Sequence, residues 1–107
     1  MKTNSKAGWH VRQGDVVIIA IDKLSEKAKR VDSITLALGE KTGHHHTMFG
    51  GGLAVLEEDG RIASEFSIEE DQVLTHQEHD PITIPKGTYM SVIQQEFLGN
   101  ELKRVAD

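Results

Sequence analysis

Cysteine is absent from the 107 residues. Disulfides and thiolate metal sites are therefore excluded, and with them zinc fingers, zinc ribbons and iron–sulfur clusters, so any metal must be held by nitrogen and oxygen. Aromatic residues are few, with one Trp, one Tyr and three Phe, which argues against a deep stacking pocket. Basic charge is in deficit: 12 Lys and Arg stand against 17 Asp and Glu, a net charge of −5. Nucleic-acid binding runs on cations that neutralise phosphates, so no nucleic-acid partner is expected. The one lysine-rich stretch, residues 23–30, is mixed in sign and reads as a solvated loop or short helix. Long hydrophobic runs are also missing. The longest, residues 16–21, is too short to span a bilayer, and the start has no apolar segment behind its lysine, so no membrane association is expected and the protein reads as cytoplasmic.

What remains is enough for one domain, residues 1–107, with 1–8 and 99–107 as loose termini. Gly14-Asp15 opens the β-branched run at 16–21, which reads as a strand buried on both faces. Leu24, Ala28 and Val31 have helical spacing, so a turn or two of helix is expected within 22–32. Further strands are expected at 33–38, 44–49, 53–57, 61–68, 72–76, 82–84 and 88–97. In 61–68 the alternation puts Ile62, Ser64, Phe66 and Ile68 on one face. Turns are expected at 39–43, at Glu58-Asp59-Gly60, at 68–71 and at Pro85-Lys-Gly87. Gly50-Gly-Gly52 reads as a wide hairpin connection, because a phosphate loop would need a lysine and a following helix. Seven or eight short strands with little helix predict an all-β protein, a small antiparallel barrel or sandwich of jelly-roll kind.

The chemistry concentrates in histidine. Five of the six histidines fall in two groups, His44-His45-His46 and His76-Gln-Glu-His79. Neutral imidazole binds divalent transition metals. On a strand, His44 and His46 share a face and His45 takes the other. A pair at that spacing, met by a second pair from a distant segment, would assemble a three- or four-ligand site. His76 and His79 converge only if the chain turns between them, and Asp80-Pro81 redirects it. The candidate metal ligands are therefore His44, His46, His76 and His79. Among the neighbouring carboxylates Glu40, Glu57, Glu58, Glu78 and Asp80, Glu78 and Asp80 are best placed to orient an imidazole. The bland alternative is a solvated strand end and a polar loop, or a pH-responsive patch. Imidazole suits Zn, Fe, Mn and Ni alike, so the metal is not selected. No Ser-His-Asp order or nucleophile elbow is present.

Two stretches together resemble the cupin superfamily of small β-barrels. Gly39-Glu-Lys-Thr-Gly-His-His-His46 is similar to the first cupin motif, with Gly before a His-x-His pair. Ile82-Thr-Ile-Pro-Lys-Gly-Thr-Tyr-Met90 is similar to the second. The Glu of the first motif is missing, and Met90 stands where the second has His, so His76 and His79 would have to substitute. The pattern Arg12-Gln-Gly-Asp15, then Gly-Glu-x-x-Gly-His-x-His, then His-x-x-His-Asp-Pro-Ile and Gly-x-Tyr also resembles a family of small uncharacterised bacterial and phage proteins. The resemblance implies a β-barrel holding one divalent transition metal, the chemistry of a small-molecule oxygenase, isomerase or metal-assisted hydrolase. The alternative is a non-catalytic module that binds a small ligand, or a phage-type accessory protein acting in assembly. A homo-oligomer formed through 16–21 or 88–97 would cover an edge strand.

Overall fold

The β-branched run after Gly14-Asp15 forms a strand, the second of twelve among the described residues, which contain no helix. The structure is a computed structural model describing residues 8–38, 44–57, 60–98 and 101–104, with backbone alone at 95–98 and 101–104. The strands are β1 (His10–Gln13), β2 (Val16–Ala20), β3 (Lys29–Val31), β4 (Ile34–Leu38), β5 (His45–Met48) and β6 (Gly52–Leu56), then β7 (Ala63–Ile68), β8 (Gln72–Leu74), β9 (Ile82–Ile84), β10 (Gly87–Ile93), β11 (Gln95–Leu98) and β12 (Glu101–Arg104). The expected turn at 39–43, and residues 1–7 of the terminus expected to be loose over 1–8, lie outside the described residues.

The larger sheet has the order β1-β2-β10-β7-β6-β3, with every neighbouring pair antiparallel. Two strand pairs, β4–β5 and β8–β9, make a second layer. They are joined where Thr47 and Thr75 exchange both backbone hydrogen bonds, at 3.1 and 2.9 Å. One apolar cluster lies between the layers. Val16, Ile18, Ala54, Ala63, Phe66, Ile68 and Tyr89 come from the larger sheet; Ile34, Leu36, Ala37, Met48, Leu74 and Ile84 come from the smaller strands. The all-β antiparallel expectation is met by a sandwich. The described strands close no barrel, because β1 and β3 end the larger sheet.

Several local expectations change for tertiary reasons. Residues 22–32 hold no helix. Ala28 N–H bonds Ser25 carbonyl at 3.2 Å in a turn, and residues 29–31 pair with β6, because an open sheet edge offers more backbone bonds than one helical turn can make. The edge strands β1 and β3 are polar, as solvated edges tolerate, which is why apolar patterning missed them. The strand expected at 88–97 breaks at Gln94, whose N–H bonds Asp15 carbonyl at 2.8 Å, and β11 pairs with β12 instead. In β2 only Val16 and Ile18 are fully buried, while Val17 and Ile19 are half-buried, so one face carries the core. In β7 a register shift opposite Val55 and Leu56 breaks the alternation: Ala63 is buried while Ile62 and Ser64 are half-buried.

Gly50 to Gly52 is not a hairpin. β5 pairs with β4 whereas β6 pairs with β3 and β7, so these glycines cross between layers. A Cβ at Gly51, whose φ is +77°, would stand 2.5 Å from the Val31 carbonyl oxygen, so only glycine passes there. At the β6–β7 hairpin Gly60 has φ +74° and its N–H bonds Glu57 carbonyl at 2.8 Å. Glu58 and Asp59 lie outside the described residues. Of the segments named for a homo-oligomer, β2 and the first half of β10 are interior to the larger sheet, while 95–97 fall in β11 of a two-stranded sheet. No helix among the described residues is long and apolar enough to cross a membrane.

Candidate functional site

The Thr47–Thr75 pair brings the two histidine segments together. Counting outward from it in antiparallel register sets His46 opposite His76, His45 opposite Gln77 and His44 opposite Glu78. The side chains follow that count. The His46 and His76 ring centroids are 4.4 Å apart. His45 N–H donates to Gln77 Oε1 at 2.9 Å, and Gln77 Nε2 donates back to His45 Nε2 at 3.1 Å. His44 Nδ1 lies 3.8 Å from Glu78 Oε1. In the other direction Gly50 N–H bonds Gln72 Oε1 at 3.0 Å.

Alternation then sorts the three consecutive histidines. His44 and His46 both meet His76. His45 goes to the other face, where its Nδ1 is 2.7 Å from Thr47 Oγ1, itself 3.0 Å from Thr35 Oγ1.

The turn that returns His79 to the cluster is built by His76. Its Nδ1 accepts from the N–H groups of Glu78 and His79 at 3.0 and 3.1 Å. The redirection expected of Asp80-Pro81 therefore starts at His76. His79 ends with its ring centroid 4.5 Å from His76 and 6.0 Å from His46, stacked on the latter. His76 is the hub of the four, and its centroid is 5.3 Å from that of His44. His46 is fully buried, whereas His44, His76 and His79 are half-buried. His46 is thus the buried member of the cluster, and the other three are partly exposed.

As they stand, no three His, Asp or Glu side chains among the described residues are arranged to hold a metal ion. The turn at His76 accounts for part of this, since its Nδ1 lone pair is directed at backbone amides. Of the carboxylates, Glu78 faces His44 and is largely exposed. The exposed Asp80 contributes its backbone carbonyl to the site. Glu40 and Glu58 lie outside the described residues.

One contributor lies inside the Arg12-Gln-Gly-Asp15 stretch, where the sequence assigns it no role. Gln13, the last residue of β1, is 3% exposed, and its Oε1 lies 2.8 Å from His46 Nδ1. Its Nε2 donates to the carbonyls of Leu74 and Asp80, both at 2.9 Å. Its trace in the sequence is its place in Arg12-Gln-Gly-Asp15, a neutral amide in a stretch that begins and ends on a charged residue. Nothing local announces a partner more than thirty residues away.

Residues 12–94 match the model of a domain of unknown function, DUF8820. The chain belongs to this family. The matched span of the DUF8820 domain includes Gln13 and all four clustered histidines. No curated protein and no solved structure matches the chain.

Elsewhere in the DUF8820 domain a concavity of about 780 Å³ is lined by Leu36, Glu57, Ile62, Ala63, Ser64, Ser91, Val92, Ile93 and Gln94. Glu57 belongs here, away from the histidines. Trp9 packs on Tyr89 with ring centroids 5.4 Å apart, while His10 and Arg12 bond to nearby backbone carbonyls. The Tyr89 hydroxyl donates to Pro85 carbonyl at 2.6 Å. Burial lifts the Tyr89 phenol above its ordinary pKa, and the Asp71 carboxylate adds to the rise.

Proposed function

We propose that the protein binds one divalent transition metal through imidazoles drawn from His44, His46, His76 and His79, with Glu78 beside His44 and Asp80 behind His46 as outer-shell groups. The observation that carries the reading is the convergence of the His44, His46 and His79 imidazoles on His76, at centroid separations of 4.4 to 5.3 Å. Two imidazoles sharing a tetrahedral ion at metal–nitrogen bonds of about 2.0–2.1 Å hold their centroids about 5 Å apart. The rings already stand at that spacing, so binding calls for ring rotation and opening of the His76 turn rather than movement of strands. Zn, Fe, Mn and Ni all suit such a set.

The cupin-like likeness is part of the same proposal. It is supported by an antiparallel two-layer fold with His46 on β5 and His44 just before it. Partial exposure of His44, His76 and His79 leaves the cluster within reach of solvent, and the reading extends to metal-dependent chemistry on a small substrate. The concavity lined by Ile62, Ser64, Ser91 and Ile93 favours a second reading, a non-catalytic small-ligand module, since its volume lies within the range of small-molecule sites.

The test is elemental analysis of untagged protein, followed by zinc titration monitored by calorimetry. About one metal per chain, lost in the His44→Ala/His46→Ala variant, supports the proposal. Metal-free protein whose melting temperature ignores both chelator and added zinc favours the second reading.

A further inference from the structure

We infer that Gln13 is a positioning residue that decides which nitrogen of His46 carries its proton. The two carbonyls of Leu74 and Asp80 can only accept hydrogen bonds, and both take them from one end of the Gln13 amide. That end must be the NH₂ group, because the reverse orientation would set an oxygen against two oxygens and lose both bonds. The network therefore dictates the orientation of the amide. Its oxygen is left 2.8 Å from His46 Nδ1, and an amide oxygen can only accept. His46 therefore carries its hydrogen on Nδ1, and the lone pair of the neutral ring sits on Nε2.

His76 is held in the opposite state. Its Nδ1 accepts from two backbone amides, which puts its hydrogen on Nε2. The central pair of the cluster thus combines a ring whose Nε2 is basic with a ring whose Nε2 is a donor. Gln13 also spans the site physically: one side chain ties the end of β1 to His46, to β8 and to the loop that carries His79.

The consequence for metal binding rests on the reading proposed above. A ligating imidazole needs its lone pair aimed at the ion and its other N–H held by an acceptor. His46 meets the second condition through Gln13 and can ligate through Nε2 with no proton shift. His76 would have to give up its turn. Gln13 therefore selects His46 as the anchor of the set.

The test is ring nitrogen NMR of ¹⁵N-labelled, metal-free protein at about pH 8, where an ordinary imidazole is neutral. His46 signals are assigned by their loss in His46→Ala. The expected spectrum shows His46 Nδ1 as the protonated nitrogen and Nε2 as the bare one. In Gln13→Met the acceptor is gone, so this preference should collapse and zinc affinity should fall by about tenfold or more. Tyr89→Phe, which loosens the fold elsewhere, should leave the His46 spectrum unchanged. A wild-type spectrum with the proton on Nε2, or an unaltered His46 spectrum in Gln13→Met, overturns the inference. If Gln13→Met does not fold, the wild-type spectrum decides alone. If the tautomer is as assigned and wild-type protein binds no zinc, the positioning role stands and the metal proposal fails.

Discussion

Thr47 and Thr75 exchange both of their backbone hydrogen bonds, and this single pair sets every later contact between the two histidine segments. A one-residue slip would turn His44 and His46 away from His76 and bring His45 in. Thr75→Pro removes the N–H that bonds Thr47 carbonyl at 2.9 Å. We expect a loss of about 1–3 kcal/mol in urea unfolding, with zinc affinity falling alongside. Unchanged zinc binding in this variant would show that the register does not hold the cluster.

The three consecutive histidines should separate cleanly by face. His46→Ala is expected to abolish zinc binding, whereas His45→Ala, on the opposite face with Thr47 and Gln77, should leave affinity within about threefold. Calorimetric titration of the two variants side by side makes the comparison. Equal losses would contradict the alternation.

Proton competition should accompany metal binding, because imidazole ligates only when neutral. Zinc affinity is expected to be constant in mildly alkaline buffer and to fall as the buffer is acidified. Titration in buffers of different ionisation enthalpy counts the protons released. Binding that is level down to about pH 5 would point to carboxylate ligands instead.

Tyr89 makes a prediction at the alkaline end. Its phenol is held neutral by burial and by Asp71, so the folded state keeps a proton that the unfolded state releases near its ordinary value of about 10. Native protein then binds more protons than unfolded protein, and stability falls with rising pH. This contribution should be intact below about pH 10 and lost as pH climbs through the raised value. Tyr89 is the only tyrosine, so phenolate absorbance reports it alone. A titration midpoint at the ordinary value would refute its burial.

In the crossover between layers, Gly51→Ala is expected to be among the most damaging substitutions of a small side chain. The added Cβ would meet backbone oxygen rather than a movable side chain, at a φ that disfavours alanine. Gly60→Ala, also at positive φ but with open space around it, should cost less. Thermal melts of the pair separate steric clash from backbone strain.

Local sequence decided a good deal. The β-branched run at Val16, the alternation of Ile34 and Leu36, and the punctuation by glycine and proline specify short antiparallel strands, because side-chain period and turn chemistry are properties of neighbours in the chain. The i, i+2 spacing of His44 and His46 likewise determined that they share a face. Tertiary structure decided what each strand met. It turned residues 29–31 into an edge strand, made β2 and β10 interior, and sent Gly50 to Gly52 between layers, since backbone groups are satisfied by whichever strand lies alongside. It also supplied the bond between Gln13 and His46. Periodicity cannot show such a bond, because a neutral amide acquires its role only from the carbonyls and the imidazole that folding places around it.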